Sequence, residues 1–119
     1  MKQDWKPGTM IYPVPAVMVS CGSEPSEYNI ITVSWVGTIC TNPAMCYISI
    51  RPGRHSYPIL KKNMEFVINL TTREMAYATD WCGVSSGKDY NKFNFKIELL
   101  VPIQPHNIKI RVDVLKNRR

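Results

Sequence analysis

The sequence predicts a mainly β domain with short helices, and three observations carry that prediction. Nine prolines are spread through 119 residues; proline lacks an amide donor and fixes its own φ, which favours strands broken by turns over long helices. Apolar and polar residues alternate in several short runs, the period of a strand with one buried face. The stretches between the runs, such as GSEPSEYN and RPGRHS, are rich in the Gly, Pro, Asn and Ser that turns use. The length fits one domain, residues 1–119.

In chain order, PVPAVMVSC (13–21) reads as a first strand after a proline-marked start. A polar turn follows, and residues 30–38 form a second strand. Along it Thr32 and Ser34 share one face while Ile31, Val33 and Trp35 share the other. Asn42-Pro43 marks a turn, because the residue before proline is pushed out of helical conformation, and residues 45–51 form a third strand. A short helix starts at Ser56, with Pro58 in its tolerant first turn and Lys61 and Lys62 near its end, where cations suit the helix dipole. EFVINL (65–70) reads as a buried strand. Thr71 and Glu74 have capping-box spacing for a helix through about Thr79, followed by a loop, DWCGVSSGKD. Beyond Asn94, FKIELLV and NIKIRVDVL alternate and predict two more strands.

Composition narrows the function classes. With 45% hydrophobic and 20% charged residues the chain is expected to fold as a globular protein. The net charge of +6 is concentrated at one end: residues 1–93 carry nine Lys or Arg against seven Asp or Glu, and residues 94–119 carry six against two. The basic end reads as a solvated strand and tail, since neither a recognition helix nor an aromatic stacking motif accompanies it, and no nucleic-acid partner is expected. No apolar run approaches the ~20 residues of a membrane span, and MKQDWKPGTM is unlike a signal peptide, so no membrane association and a cytoplasmic location are expected. Cys21, Cys40, Cys46 and Cys82 form no CxxC pair and no zinc spacing, so they read as reduced thiols and no metal site is expected.

The chemistry is expected around residues 29–57, NIITVSWVGTICTNPAMCYISIRPGRHSY. Paired arginines beside a helix start suit a phosphorylated, planar ligand. Arg51 and Arg54 offer planar guanidinium donors, and Ser56 sits where a helix N-terminus would add amides to its own hydroxyl. Taken alone, the same arginines read as two exposed turn residues rather than a phosphate site, and Trp35 as core. Pro58 deletes one first-turn amide. His55 and His106 have no catalytic partner spacing and read as exposed. No Ser-His-Asp, paired-carboxylate or metal-ligand pattern occurs.

Together with EFVINLTT and TDWCGVSSGKDYNKF, the 29–57 segment resembles the flavin reductase-like family of FMN-binding split β-barrel proteins, which includes flavoredoxins and flavin:NAD(P)H reductases. The resemblance covers roughly residues 1–93; residues 94–119 read as diverged or truncated C-terminal strands. It implies FMN as cofactor, with Arg51, Arg54, Ser56 and Lys92 at the phosphate and the hydroxyls of Thr32 and Ser34 at the ring. The backbone of Trp35, Val36 and Gly37 would also meet the ring, and Asn29 would contact the cofactor. Thr38, Asp80, Trp81, Gly83 and Ser86 would shape the pocket wall or a dimer contact. No catalytic side chain is implied, because the flavin carries the reaction. The implied activity is NAD(P)H-dependent flavin reduction in a homodimer, passing electrons to a flavin or protein acceptor. A non-catalytic FMN electron carrier and a degenerate fragment with a structural or dimerising role are the alternatives.

Overall fold

The computed structural model describes residues 1–93 and the backbone of the strand Lys109–Arg111. Its elements are β1 (Val17–Cys21), β2 (Asn29–Val33), β3 (Val36–Cys40), β4 (Met45–Ile48), α1 (Ser56–Asn63), β5 (Glu65–Leu70), α2 (Ala76–Val84) and β6 (Lys109–Arg111). The mainly β class with two short helices is as the sequence predicts. Four strands form one antiparallel sheet in the order β2-β1-β5-β6, and β3 and β4 form a second, two-stranded sheet.

β1 is the central strand, and its near-continuous apolar sequence VMVSC follows from burial on both faces. Val17, Val19 and Cys21 point to one core with Val33, Leu60 and Phe66, joined by Ile59 from α1 and by Val36 and Ile48 from the second sheet. Met18 points the other way, into a smaller core with Ile30, Met75 and Cys82 under α2. Met18, Val19 and Ile30 are almost wholly buried, each contributing about 1.5–3 kcal/mol of apolar burial.

The single strand expected over residues 30–38 is two strands in two sheets. The β1–β2 ladder runs from Cys21 opposite Asn29 to Val17 opposite Val33. Continued in register, it would set Trp35 opposite Pro15, which has no amide to give. The chain turns instead at Ser34 and Trp35, where the Trp35 carbonyl accepts the Ser49 amide at 2.8 Å, and β3 pairs with β4.

The expected helix at 71–79 lies further along, at Ala76–Val84. The Thr71 hydroxyl donates to the Ala16 carbonyl at 2.7 Å, tying the end of β5 to the start of β1, and so does not cap a helix. Turn bonds from Met75 and Ala76 to Thr72 and Arg73 lead into α2. The first half of the expected loop DWCGVSSGKD is therefore helical. β5 is also less buried than expected, with Phe66 alone fully inside. α1 begins at Ser56 as predicted and ends where Met64 adopts a left-handed conformation and its amide reaches the Leu60 carbonyl. The expected strand FKIELLV and His106 lie outside the described residues.

Candidate functional site

The polar junction between β2, α1 and the loop after α2 gathers residues that are far apart in sequence. Asn29, at the start of β2, and Ser56, the first residue of α1, are 3% and 1% exposed. The Asn29 side-chain amide donates to the Ser56 hydroxyl oxygen at 2.7 Å. Across the ladder from Asn29, the Cys21 thiol donates to the Asn29 carbonyl at 3.7 Å. Burial pushes the Cys21 thiol up to about 11, with the Ser56 hydrogen bond and the Lys92 charge pulling the other way. Cys21 is thus a neutral thiol at physiological pH, and all four cysteines are free, as the sequence predicts.

Lys92 is 2% exposed. Its ammonium donates to the carbonyls of Ile30 and Cys82, each at 2.8 Å, clamping the end of the post-α2 loop to β2 and to α2 itself. Burial lowers its pKa; the Cys82 thiol opposes that shift and Arg54 adds to it. Arg54 is therefore near enough for the two cations to repel. The expected contribution of Lys92 as a phosphate counter-charge is constrained by this placement, since two of its three protons are committed to backbone oxygens.

Arg51 and Arg54 are exposed on the turn that leads into α1. The Arg54 amide bonds the Arg51 carbonyl at 3.0 Å, and the Tyr57 amide bonds the Arg54 carbonyl at 3.0 Å. Both guanidinium groups are thus carried by an ordered turn and directed to solvent. Ser56 begins α1, as the sequence predicts, and its hydroxyl oxygen is turned inward to accept from Asn29. The residue flanking the helix is His55, with no side-chain capping bond, and it is half-buried, where the sequence reading had it exposed.

The ring-side candidates divide between the two sheets. Thr32 faces α2; its hydroxyl donates to the Thr79 carbonyl and Gly83 rests against its Cβ. Ser34 is half-buried at the corner, and Trp35 beside it is 44% exposed. Val36 and Gly37 stand in the β3–β4 ladder opposite Ile48 and Tyr47. A Cβ on Gly37 would lie 2.9 Å from the Tyr47 ring, so the absent side chain makes room for a neighbour of the same chain. Asn29, Ser56, Arg54 and Lys92 are brought together; Thr32, Trp35 and Gly37 lie along β2, the corner and β3.

Sequence reasoning missed Gly87. A Cβ there would fall 2.4 Å from Asn29 Oδ1 and 2.6 Å from His55 Cδ2. A glycine in the polar run SSGKD reads only as a turn, and nothing local signals so close an approach. Among the described residues, no group of three or more His, Cys, Asp or Glu could hold a metal ion, and no helix is long and apolar enough to cross a membrane.

Antiparallel sheets meeting at an aromatic corner, beside an arginine-bearing turn at a helix start, define the class: a small β domain whose candidate site lies where sheet and helix meet. The family described as "Flavin reductase like domain" matches residues 9–110, and the chain belongs to that family. Among solved structures, flavoredoxin of Desulfovibrio vulgaris (Miyazaki F) superposes with a TM-score of 0.70 at 28% identity, over 78% of this chain and 51% of that one. An FMN-binding protein from Thermus thermophilus superposes with a TM-score of 0.68 at 23% identity, over 78% and 52%; that similarity speaks to the fold alone. An uncharacterized protein of Pyrococcus abyssi is 32% identical over 66 residues, 56% of this chain and 38% of that protein. The chain thus spans about half the length of these solved relatives.

Proposed function

We propose that this chain binds FMN without a covalent bond and serves as an NAD(P)H-dependent flavin reductase. The observation that carries the reading is the exposed Arg51–Arg54 turn, hydrogen-bonded within itself and set at the start of α1. Such a basic surface suits a terminal phosphate, because a planar guanidinium pairs well with a phosphate oxygen pair. Family membership and the 28% identity to a flavoredoxin support FMN as the group that carries that phosphate.

On this reading Arg51 and Arg54 hold the phosphate, while Asn29, Ser56 and Lys92 fix the junction behind it. Trp35, exposed at the corner, offers an aromatic face to the isoalloxazine. Val36 and Gly37 offer backbone groups along β3, and Thr32 and Ser34 have hydroxyl oxygens that accept hydrogen bonds from the ring edge. When bound, FMN supplies the redox chemistry, taking hydride from a nicotinamide and passing electrons on. The chain's own part is to bind, orient and shield. Trp35, Ile39, Met45 and Tyr47 are all exposed around the second sheet, and this apolar surface supports a homodimer.

A second reading, a non-catalytic FMN electron carrier, is favoured by the likeness to flavoredoxins. Anaerobic mixing of the FMN-loaded protein with NADH or NADPH separates the two. Bleaching of the flavin absorbance by the nicotinamide alone supports the reductase. Bleaching only by dithionite supports the carrier and overturns the reductase.

A further inference from the structure

We infer that Gly87 is a positioning residue that makes the junction discriminate FMN from its unphosphorylated counterpart, riboflavin; this rests on the FMN reading above. The loop after α2 passes so close to the junction that a single added carbon at Gly87 would lie 2.4 Å from Asn29 Oδ1, 2.6 Å from His55 Cδ2 and 2.8 Å from Asn29 Cγ. Ordinary contacts of this kind begin near ~3.5 Å, so each neighbour would have to retreat by about an ångström.

Asn29, the nearer neighbour, cannot yield freely. The Asn29 side chain is buried and its amide is tied to Ser56, the first residue of α1. His55 lies between Ser56 and Arg54, and its ring meets the loop at Gly87. The loop is also held. Lys92 anchors its end to the Ile30 and Cys82 carbonyls, the amides of Asp89 and Tyr90 both reach the Ser86 carbonyl at 3.1 Å, and the Tyr90 ring meets Trp81 edge-on at 5.9 Å. With sheet and loop both fixed, added bulk at position 87 displaces the Asn29 side chain and, through its bond to Ser56, the start of α1 and the Arg51–Arg54 turn that precedes it. Gly87 itself touches no ligand in this account. Its effect is to set the position of the groups that receive a phosphate.

The test compares FMN and riboflavin dissociation constants, by quenching of flavin fluorescence, for the wild type and Gly87→Ala, with Gly8→Ala as control because a Cβ there meets nothing nearer than 3.6 Å. The expected result is an FMN affinity about tenfold or more weaker in Gly87→Ala, with riboflavin changed by less than about twofold. Tyr90→Ala, which removes an exposed ring that braces the loop, is expected to lower the FMN preference in the same direction by a smaller factor, and it decides the matter if Gly87→Ala does not fold. A wild type that prefers FMN together with variants that keep the same preference overturns the inference and leaves the FMN reading standing. A wild type that binds both flavins equally overturns the phosphate reading itself.

Discussion

Asn29 and Ser56, 27 positions apart in sequence, meet in the interior through a 2.7 Å hydrogen bond that fastens the beginning of a strand to the beginning of a helix. The serine oxygen accepts this bond, which fixes the start of α1 against β2. What it positions is the turn just upstream, where Arg51 and Arg54 face solvent.

Replacing Asn29 with Ala removes a buried donor and leaves the Ser56 oxygen short of a partner. Stability to urea should fall by about 1–3 kcal/mol, the cost of an unsatisfied buried polar group. An unchanged midpoint and slope would show that the bond contributes nothing.

Lys92→Met retains much of the buried stem but strips the Ile30 and Cys82 carbonyls of their shared donor. Losing a charged hydrogen bond costs about 1.5–3 kcal/mol, so the loop end should loosen before the rest of the fold. Hydrogen exchange should show faster exchange at residues 85–93 than in β1; uniform protection would contradict the clamp.

Cys21 gives stability a pH dependence with a definite sign. Its thiol is held near 11 in the folded chain against 9.0 in the open chain, so between those values the unfolded state releases a proton that the folded state keeps. Stability attributable to this group is full below pH 9 and is lost as pH rises toward 11, by an amount on the order of 2–3 kcal/mol. The lowered Lys92 pKa acts in the opposite sense in alkaline solution, so the quantity to measure is the difference in unfolding free energy between wild type and Cys21→Ala across pH 8–11. That difference should shrink as pH rises. Parallel profiles would refute the assignment.

Substituting both Arg51 and Arg54 with Ala should weaken FMN by about a hundredfold, at roughly 1.5 kcal/mol per charged hydrogen bond, while riboflavin is nearly unaffected. Titration of both flavins checks this. Equal losses for the two ligands would remove the arginines from the phosphate.

Local pattern was enough to find most elements. Short apolar runs located β1, most of β2 and β5, alternation located β4, and the polar RPGRHS turn located α1. Departures arose where a distant residue decided the outcome. The strand through Ser34 and Trp35 breaks because its register would meet Pro15 in another strand, and α2 starts late because the Thr71 hydroxyl bonds Ala16 instead of capping. The candidate site followed the same division. Ser56 and Arg54 were singled out by type beside the helix start, Asn29 and Lys92 through the family resemblance, and Asn29 does meet Ser56. The inward turn of Ser56 and the engagement of Thr32 by Thr79 depend on α1 and α2 packing onto the sheet, which no local spacing encodes. Gly87 was invisible for the same reason.

Whether the arginine turn beside α1 holds the phosphate of a flavin is decided by titrating the purified chain with FMN and with riboflavin under identical conditions. Saturable binding of one FMN per chain is expected, with riboflavin weaker by at least about tenfold, the worth of roughly 1.4 kcal/mol at the phosphate. Absence of saturable FMN binding, or equal affinity for the two flavins, would contradict it.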